Sequence, residues 1–283
     1  MASTSSFDDL FHRAVSAIDT GDAATLQQLL RAHPELVRER LQQPGHWLRE
    51  QPGDALNGFF KAPYLIWFVA EDAVRNNTLP GNITHITHII INVLKREQVI
   101  SLQEQLNYTL MLVARSAVAQ KCRVQLPLLD VLIDAGADCT GAPDNALVNN
   151  HEEAAAHLVK RGAPLTLASA LCLGYWQQAE ELASTADANT KQFVLVLCAL
   201  NGKAKAIVWL LPYGVQVNSL CPDLYGHGTP LHHAVCSGSL ETVKVLIADG
   251  AAPTIRDSAW QGTALGWAEY EQQHEIAAYL SSL

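Results

Sequence analysis

Two pairs of histidines are the first residues in this sequence whose type and spacing could support metal binding or general-base catalysis. His232 and His233 are adjacent, and His85 and His88 are three residues apart, which would place them on one face of a helix. Neutral imidazoles are common zinc ligands and proton acceptors. No second ligand recurs at a plausible spacing beside His232-His233, so a structural role is favoured there. For His85 and His88, a solvated helix face is favoured.

The cysteines and carboxylates give no stronger indication of a metal or catalytic site. The six cysteines form no C-x-x-C pair, and their gaps of 15 to 33 residues match neither a zinc finger nor a zinc ribbon. Glu71 and Asp72 are adjacent, so on a helix they would point about 100° apart and could not act together as acid and base. The sequence lacks the motifs of serine hydrolases, zinc proteases and phosphate-binding loops. We therefore expect no metal, no cofactor and no catalytic residues.

The composition predicts a globular protein and disfavours several classes of partner. Apolar residues make up 49% of the 283 residues and charged residues 17%. The excess of 28 acidic over 19 basic residues gives a net charge of −9, which disfavours nucleic acids and anionic membranes and favours basic protein surfaces. The N-terminal sequence has neither the basic nor the apolar region of a signal peptide, and no apolar run is long enough to span a membrane. We expect a cytoplasmic protein with free thiols.

The segment Gly228–Ala251 shows which elements must position these side chains. Its sequence is GTPLHHAVCSGSLETVKVLIADGA. Thr229 is a predicted N-cap followed by proline in the first helical turn, and Gly238 separates this helix from a second amphipathic helix. Gly250 supplies a left-handed stop to the second helix. These residues resemble the ankyrin repeat, whose signature is T-P-L-H-x-A followed by a second helix that begins after glycine.

The resemblance implies an all-α fold, namely an ankyrin-like solenoid of helix-turn-helix units joined by short hairpins. The unit after Thr229 begins 34 residues later, at Thr263, close to the family period of about 33 residues. We predict a single solenoid over residues 1–283, of the divergent bacterial type, with regular repeats over 139–283. Residues 1–138 would be a divergent helical half with insertions around residues 34–58 and 76–82. Helices are predicted in that half over Lys61–Glu71, Ile83–Lys95, Ser101–Ala119 and Leu126–Ala135.

Two predicted hairpins, residues 218–227 and 256–261, carry the residues that we expect to bind a partner. Partners of the ankyrin family usually bind the concave face built by the hairpin tips and the first helices. Exposed aromatic residues beside charges are typical of interface anchors. The candidate partner-binding residues are Asp223, Tyr225, His227, Asp257 and Trp260. The two aspartates are expected to be exposed rim charges, whereas Trp260 either contacts a partner or folds back over the neighbouring hairpin.

The resemblance implies that the protein is a non-catalytic module for protein–protein recognition, and its acidic charge favours a basic protein partner. One alternative is an enzyme or a small-molecule-binding protein. Its pocket would lie between the N-terminal insertions and the concave face and would depend on Trp47, Asp54 or Glu71. Another alternative is a homo-oligomer that forms through the N-terminal half. Neither a nucleic acid nor a membrane is expected as a partner.

Overall fold

The computed structural model describes residues 6–41, 62–70, 76–221 and 224–283 of the chain. The chain divides into two compact units. The first comprises Met1–Asn145 and His157–Ala163, and the second comprises Ala146–Ala156 and Pro164–Leu283. In the described ranges, β-structure is limited to one isolated bridge in the second unit, so the fold is all-α, as predicted. A single solenoid over residues 1–283 stays a prediction.

The first unit consists of helices that pack in two layers. Its helices are α1 Phe7–Thr20, α2 Ala23–Ala32, α3 Glu35–Arg38, a 3-10 helix Leu65–Ala70, α4 Ile83–Arg96, α5 Leu102–Ala114, α6 Ala117–Lys121 and α7 Gln125–Ala135. The 3-10 helix packs against both α1 and α5, and α4 packs against both α2 and α7. The divergent half therefore has first helices in one layer and second helices in the other, although its sequence departs from the repeat signature.

Two of the predicted helices in this unit differ from the observed ones. The 3-10 helix stands in the described part of the segment Lys61–Glu71, where an α-helix was expected. The predicted helix Ser101–Ala119 is divided at Ser116, whose hydroxyl accepts a hydrogen bond from the N–H of Ala119 (3.0 Å) and donates one to the carbonyl of Ala70 (2.6 Å). This hydroxyl caps α6 and links it to the 3-10 helix, so the chain ends α5 and starts a new helix.

The two predicted insertions have different outcomes. Most of the segment 34–58 lies outside the described residues, and its first residues form the short helix α3. Residues 76–82 form turns and irregular chain, as predicted. The side-chain amide of Asn82 donates to the carbonyl of Gly21 (2.8 Å), which joins this segment to the turn between α1 and α2.

The second unit contains the regular helix pairs. Helices α8 Ala142–Val148 and α9 Glu152–Lys160 have residues in both units. The helices that belong wholly to the second unit are α10 Leu167–Leu173, α11 Trp176–Thr185, α12 Ala188–Leu200, α13 Ala204–Leu210, α14 Pro230–Cys236, α15 Leu240–Ala248, α16 Ala264–Tyr270 and α17 His274–Ser281. The first helices α10, α12, α14 and α16 pack side by side, and the second helices α13, α15 and α17 form the other layer. No helix among the described residues is long and apolar enough to cross a bilayer.

Thr229 and His232 connect helix α14 to the hairpin that follows its helix pair. The hydroxyl of Thr229 lies 2.8 Å from Nδ1 of His232, and the N–H of Thr229 donates to the same nitrogen (3.2 Å). Because Nδ1 accepts, Nε2 carries the proton and donates to the carbonyl of Gly262 (3.2 Å). Burial lowers the pKa of His232, in agreement with a neutral ring. His232 therefore has the structural role that the sequence predicts.

We expect Thr229→Ala to lower the free energy of unfolding by about 1 kcal/mol, because the helix loses its cap and His232 loses a partner. Combining it with His232→Ala should cost less than the two single changes together, because the side chains share one network. Urea unfolding followed by circular dichroism measures this coupling. The control pair is Thr166→Ala with His232→Ala, since Thr166 caps α10 and α12 lies between α10 and α14. Additive costs for Thr229 and His232 would contradict a shared network.

Candidate partner-binding groove

A groove with a volume of about 790 Å³ lies in the second unit, between its hairpins and first helices. We call it the aromatic groove. Its ring-bearing side chains are Tyr225, His227, His233, Trp260, Trp267 and Tyr270. The volume is within the range of about 300–1,000 Å³ that is typical of ligand pockets in proteins.

One position of the helix-turn-helix unit lines the floor of the groove repeatedly. Each first helix that lines the groove is followed by a residue with a positive φ angle, and this position lies two residues before that residue. The side chains at this position in the groove are Val148, Leu200, Cys236 and Tyr270. The left-handed residues that follow them are Asn150, Gly202, Gly238 and Gln272. The repeat of the units therefore brings the same position of α8, α12, α14 and α16 to one surface, whereas at this position of α10 Cys172 is buried.

A second repeat position supplies two rings to the groove. His233 and Trp267 each lie four residues after the threonine that caps their helix, and their ring centroids are 6.2 Å apart at an interplanar angle of 90°. The indole of Trp267 also contacts the ring of Trp260, with centroids 5.8 Å apart. Trp267 and Tyr270 are groove residues that were not expected from the sequence. Alignment of the unit that begins at Thr263 with the preceding one is the signal that could have identified them.

The carboxylate of Asp257 holds the second hairpin in place. Its Oδ1 accepts hydrogen bonds from the backbone N–H groups of Ala259 (2.8 Å) and Trp260 (2.6 Å). Its Oδ2 accepts from the N–H of Gly262 (2.7 Å) and from the indole N–H of Trp267 (2.9 Å). Burial by itself would raise the pKa of Asp257, but the hydrogen bonds outweigh it and lower the pKa to about 2.

The expectation that Asp257 is an exposed rim charge is wrong. The residue is only 1% exposed, because the backbone N–H groups of the hairpin point inward and the carboxylate accepts hydrogen bonds from them. Gly262 permits this approach: a Cβ at that position would lie 3.0 Å from Oδ2 of Asp257. Asp257 therefore positions the aromatic side chains of the groove. Asp223 lies outside the described residues, so its expected contact with a partner stays a prediction.

The structure brings the other three candidate residues together. The ring of His227 lies 5.0 Å from that of Trp260, at 86°, and 6.3 Å from that of Tyr225, at 75°. The N–H of Ser258 donates to the carbonyl of His227 (2.9 Å), which joins the two hairpins. The ring of Trp260 lies against the neighbouring hairpin, as one of the two expectations proposed, and the residue is still 70% exposed. The role of Tyr225, His227 and Trp260 in partner binding stays a prediction.

Three ionisable groups around the groove each hold one protonation state near neutral pH. Burial is the main cause that lowers the pKa of His233 to about 4. Burial, with the nearby charge of Glu271, raises the pKa of the Cys236 thiol to about 11, whereas Asp257 stays ionised. Such groups are poor proton carriers at neutral pH, because general acids and bases work best with pKa values near that of the solution. Although neighbouring atoms shield the thiol of Cys236, the residue lines the groove and is exposed, so it is not part of the helical core.

The other metal candidates of the sequence lie apart from this groove. His85 and His88 are exposed on α4, as expected for a solvated helix face. Cys172 and Cys198 are buried, with their sulfur atoms 3.8 Å apart. In the part of the chain that the structure describes, no group of three or more His, Cys, Asp or Glu side chains is placed to hold a metal ion.

Comparison with protein families identifies the repeats. The family model for ankyrin repeats, in three copies, matches residues 146–257 and 195–282. Residues 146–282 therefore contain ankyrin repeats, and the aromatic groove lies within this segment. Ankyrin repeats generally mediate protein–protein interaction. The sequence matches none of the curated proteins with which it was compared.

We expect Asp257→Ala to lower the free energy of unfolding by about 2–4 kcal/mol, because four N–H groups lose their acceptor. The fluorescence of Trp260 and Trp267 should also move towards that of solvated indole. Asp249→Ala is the matched control, since Asp249 is exposed in the preceding unit. Urea unfolding of both variants measures the difference. Equal stability of the two variants would show that the carboxylate does not hold the hairpin.

The free energy of unfolding should fall by up to about 3 kcal/mol as the pH falls from 6.5 to 4, because the unfolded chain protonates at His233 before the folded chain does. Above pH 6.5 this contribution to stability is fully present. Asp257 affects stability only at lower pH, between about 3.8 and about 2, so its pH range does not overlap with that of His233. Urea unfolding at several pH values should show that the free energy of unfolding depends less on pH in His233→Gln. The exposed control His274→Gln should keep the pH dependence of the unchanged protein. If the free energy of unfolding of His233→Gln changed with pH as steeply as that of the unchanged protein, His233 would not be the source of the pH dependence.

Proposed function

We propose that this protein is a non-catalytic recognition module that binds a basic protein partner through the aromatic groove and the hairpins beside it. The single observation that carries the proposal is the cluster of exposed rings around the groove. Trp260 is 70% exposed and Tyr270 is 84% exposed. Large aromatic side chains that are held in place yet accessible are the residues that most often dominate the energy of protein interfaces.

The rigidity of the groove supports the same function. The hairpin of Trp260 is held by Asp257, and the hydrogen bond from Ser258 to His227 joins it to the preceding hairpin. Binding to a preformed surface loses less conformational entropy than binding to a mobile one. A partner would therefore meet aromatic side chains that are already oriented.

Electrostatics favour a basic partner over an acidic one. The net charge of −9 would attract a positively charged protein at long range and speed its association at low salt. Glu271 contributes a carboxylate to the groove itself. The rings would supply most of the contact area, and the charges would increase the specificity of binding and the rate of association.

The alternative functions that the sequence suggested, a catalytic or small-molecule pocket and self-association, stay predictions. Trp47, Asp54 and Glu71, on which a catalytic or small-molecule pocket would depend, lie outside the described residues. Self-association through the N-terminal half and a cytoplasmic location are likewise untested. Near the aromatic groove, the protonation states of His233 and Cys236 favour binding over acid–base catalysis.

Site-specific photocrosslinking tests the proposed binding surface. We expect benzoylphenylalanine at position 260 or 270 to crosslink one common protein in a lysate of the cells that produce this chain. The same group at position 213 should not capture it, since Tyr213 is exposed on the turn after α13 and does not line the groove. Mass spectrometry identifies the captured protein.

Affinity measurements on the purified partner complete this test. Trp260→Ala should weaken binding at least about 30-fold, as expected for an interface anchor worth about 2 kcal/mol. Trp176→Ala should have little effect, because Trp176 is partly exposed on α11 and away from the groove. Equal crosslinking at positions 213 and 260, or full affinity in Trp260→Ala, would contradict the proposal.

A further inference from the structure

Building on the proposed function, we propose that the aromatic groove binds a short extended peptide segment of the partner through one arginine side chain. The guanidinium would stack on the exposed rings of Trp260 and Tyr270 and would pair with the carboxylate of Glu271. The aliphatic part of the groove would take an apolar side chain of the same segment. The geometry of the rings, the position of the carboxylate and the size of the groove support this occupant in turn.

The rings present the kind of surface to which cations bind. An aromatic face is electronegative and attracts a guanidinium or ammonium group within about 6 Å of its centre. The ring of Trp260 is nearly perpendicular to that of His227, at 86°, and is tilted by 65° from that of Trp267. Neither neighbour stacks flat on the indole, and the residue is 70% exposed, so most of its ring surface is accessible to a ligand.

The charge in the groove has the sign that a cation requires. Glu271 is the only Asp, Glu, Lys or Arg among the described residues that line the groove. Within the described chain its carboxylate takes part in no hydrogen bond or ion pair. Glu271 lies close enough to Cys236 for its charge to help raise the pKa of that thiol, which also lines the groove. An unpaired carboxylate beside electronegative rings is complementary to a positively charged side chain.

The groove has two chemically different ends. Val148 and Leu200 supply aliphatic side chains at the repeat position where Tyr270 supplies a ring. The volume of about 790 Å³ exceeds that of a single side chain, so the groove can accommodate several residues of an extended segment. An apolar residue near the arginine in sequence would cover Val148 and Leu200.

Arginine fits this site better than lysine. Its planar guanidinium can stack on an indole and at the same time donate two parallel hydrogen bonds to one carboxylate. The ammonium group of lysine is more strongly hydrated and acts as a point charge, so it would lose more on leaving water. The combination of ring faces with a single carboxylate therefore selects for arginine.

Selection from a phage-displayed library of random seven-residue segments tests the proposal with the full-length protein. We expect the selected segments to share one arginine and a nearby apolar residue. Synthetic versions of the best segment, measured by fluorescence anisotropy, should bind at least about tenfold more weakly when citrulline replaces arginine, because citrulline has the same shape without the charge. The lysine version should bind with intermediate affinity.

Two matched variants assign the effect to the groove. Glu271→Gln should reduce the preference for arginine over citrulline to less than about threefold, whereas Glu269→Gln should leave it unchanged. Glu269 is exposed on the same helix but does not line the groove. Segments without a shared cation, no selected segment at all, equal binding of the citrulline version, or an equal effect of the two glutamate changes would each overturn the proposal.

The outcomes separate this inference from the proposed function. If a protein crosslinks at positions 260 and 270 but the library shows no preference for arginine, recognition through the groove stands and the arginine assignment fails. If arginine segments bind with the expected dependence on Glu271 and no protein crosslinks there, the groove is a cation-binding site and the proposed protein partner fails. Binding of a small quaternary ammonium ion, with no binding of arginine segments, would overturn the peptide occupant.

Discussion

The aromatic groove depends on one carboxylate that collects four N–H donors. Asp257 joins the backbone of its own hairpin to the indole of Trp267 on the next helix, so hairpin and helix hold each other in place. A buried charge is tolerated only where hydrogen bonds replace the water that it loses. Here they do so completely enough to lower the pKa of the carboxyl group to about 2. The position of the exposed Trp260 therefore depends on a carboxylate that is almost completely buried.

Repetition of the helix pair turns this local arrangement into an extended surface. The same helix position contributes Val148, Leu200, Cys236 and Tyr270, so the groove changes from aliphatic to aromatic as one follows the chain. The backbone position is constant because each unit packs on its neighbour in the same way. Cys236 and Tyr270 at this position are exposed, so their side chains can vary with little effect on the helical core. Recognition chemistry can therefore diverge without disturbing the stack.

The first unit shows that this packing survives the loss of the repeat signature. A short 3-10 helix occupies the place of a first helix between α1 and α5, and Ser116 divides what the sequence presents as one long helix. Stacking of apolar faces requires a buried helical surface of roughly the right length, and it does not require the threonine, proline and histidine of the signature. The signature adds caps and hydrogen bonds between neighbouring units, as Thr229 and His232 do in the second unit.

The sequence by itself determined the all-α class, the helix pairs of the C-terminal half and the hairpins on which Tyr225, His227 and Trp260 lie. These follow from caps, glycines and helical periodicity, which act between residues that are close in the chain. Only the tertiary structure decided that Asp257 points inward, that Cys236 faces the groove, and that Trp267, Tyr270 and Glu271 belong to the same site. These outcomes depend on which groups meet across hairpins and neighbouring units. A charged residue in a hairpin can face water or accept hydrogen bonds from N–H groups. Trp267 lies ten residues after Asp257 in the chain, and only the fold brings its indole N–H to the carboxylate.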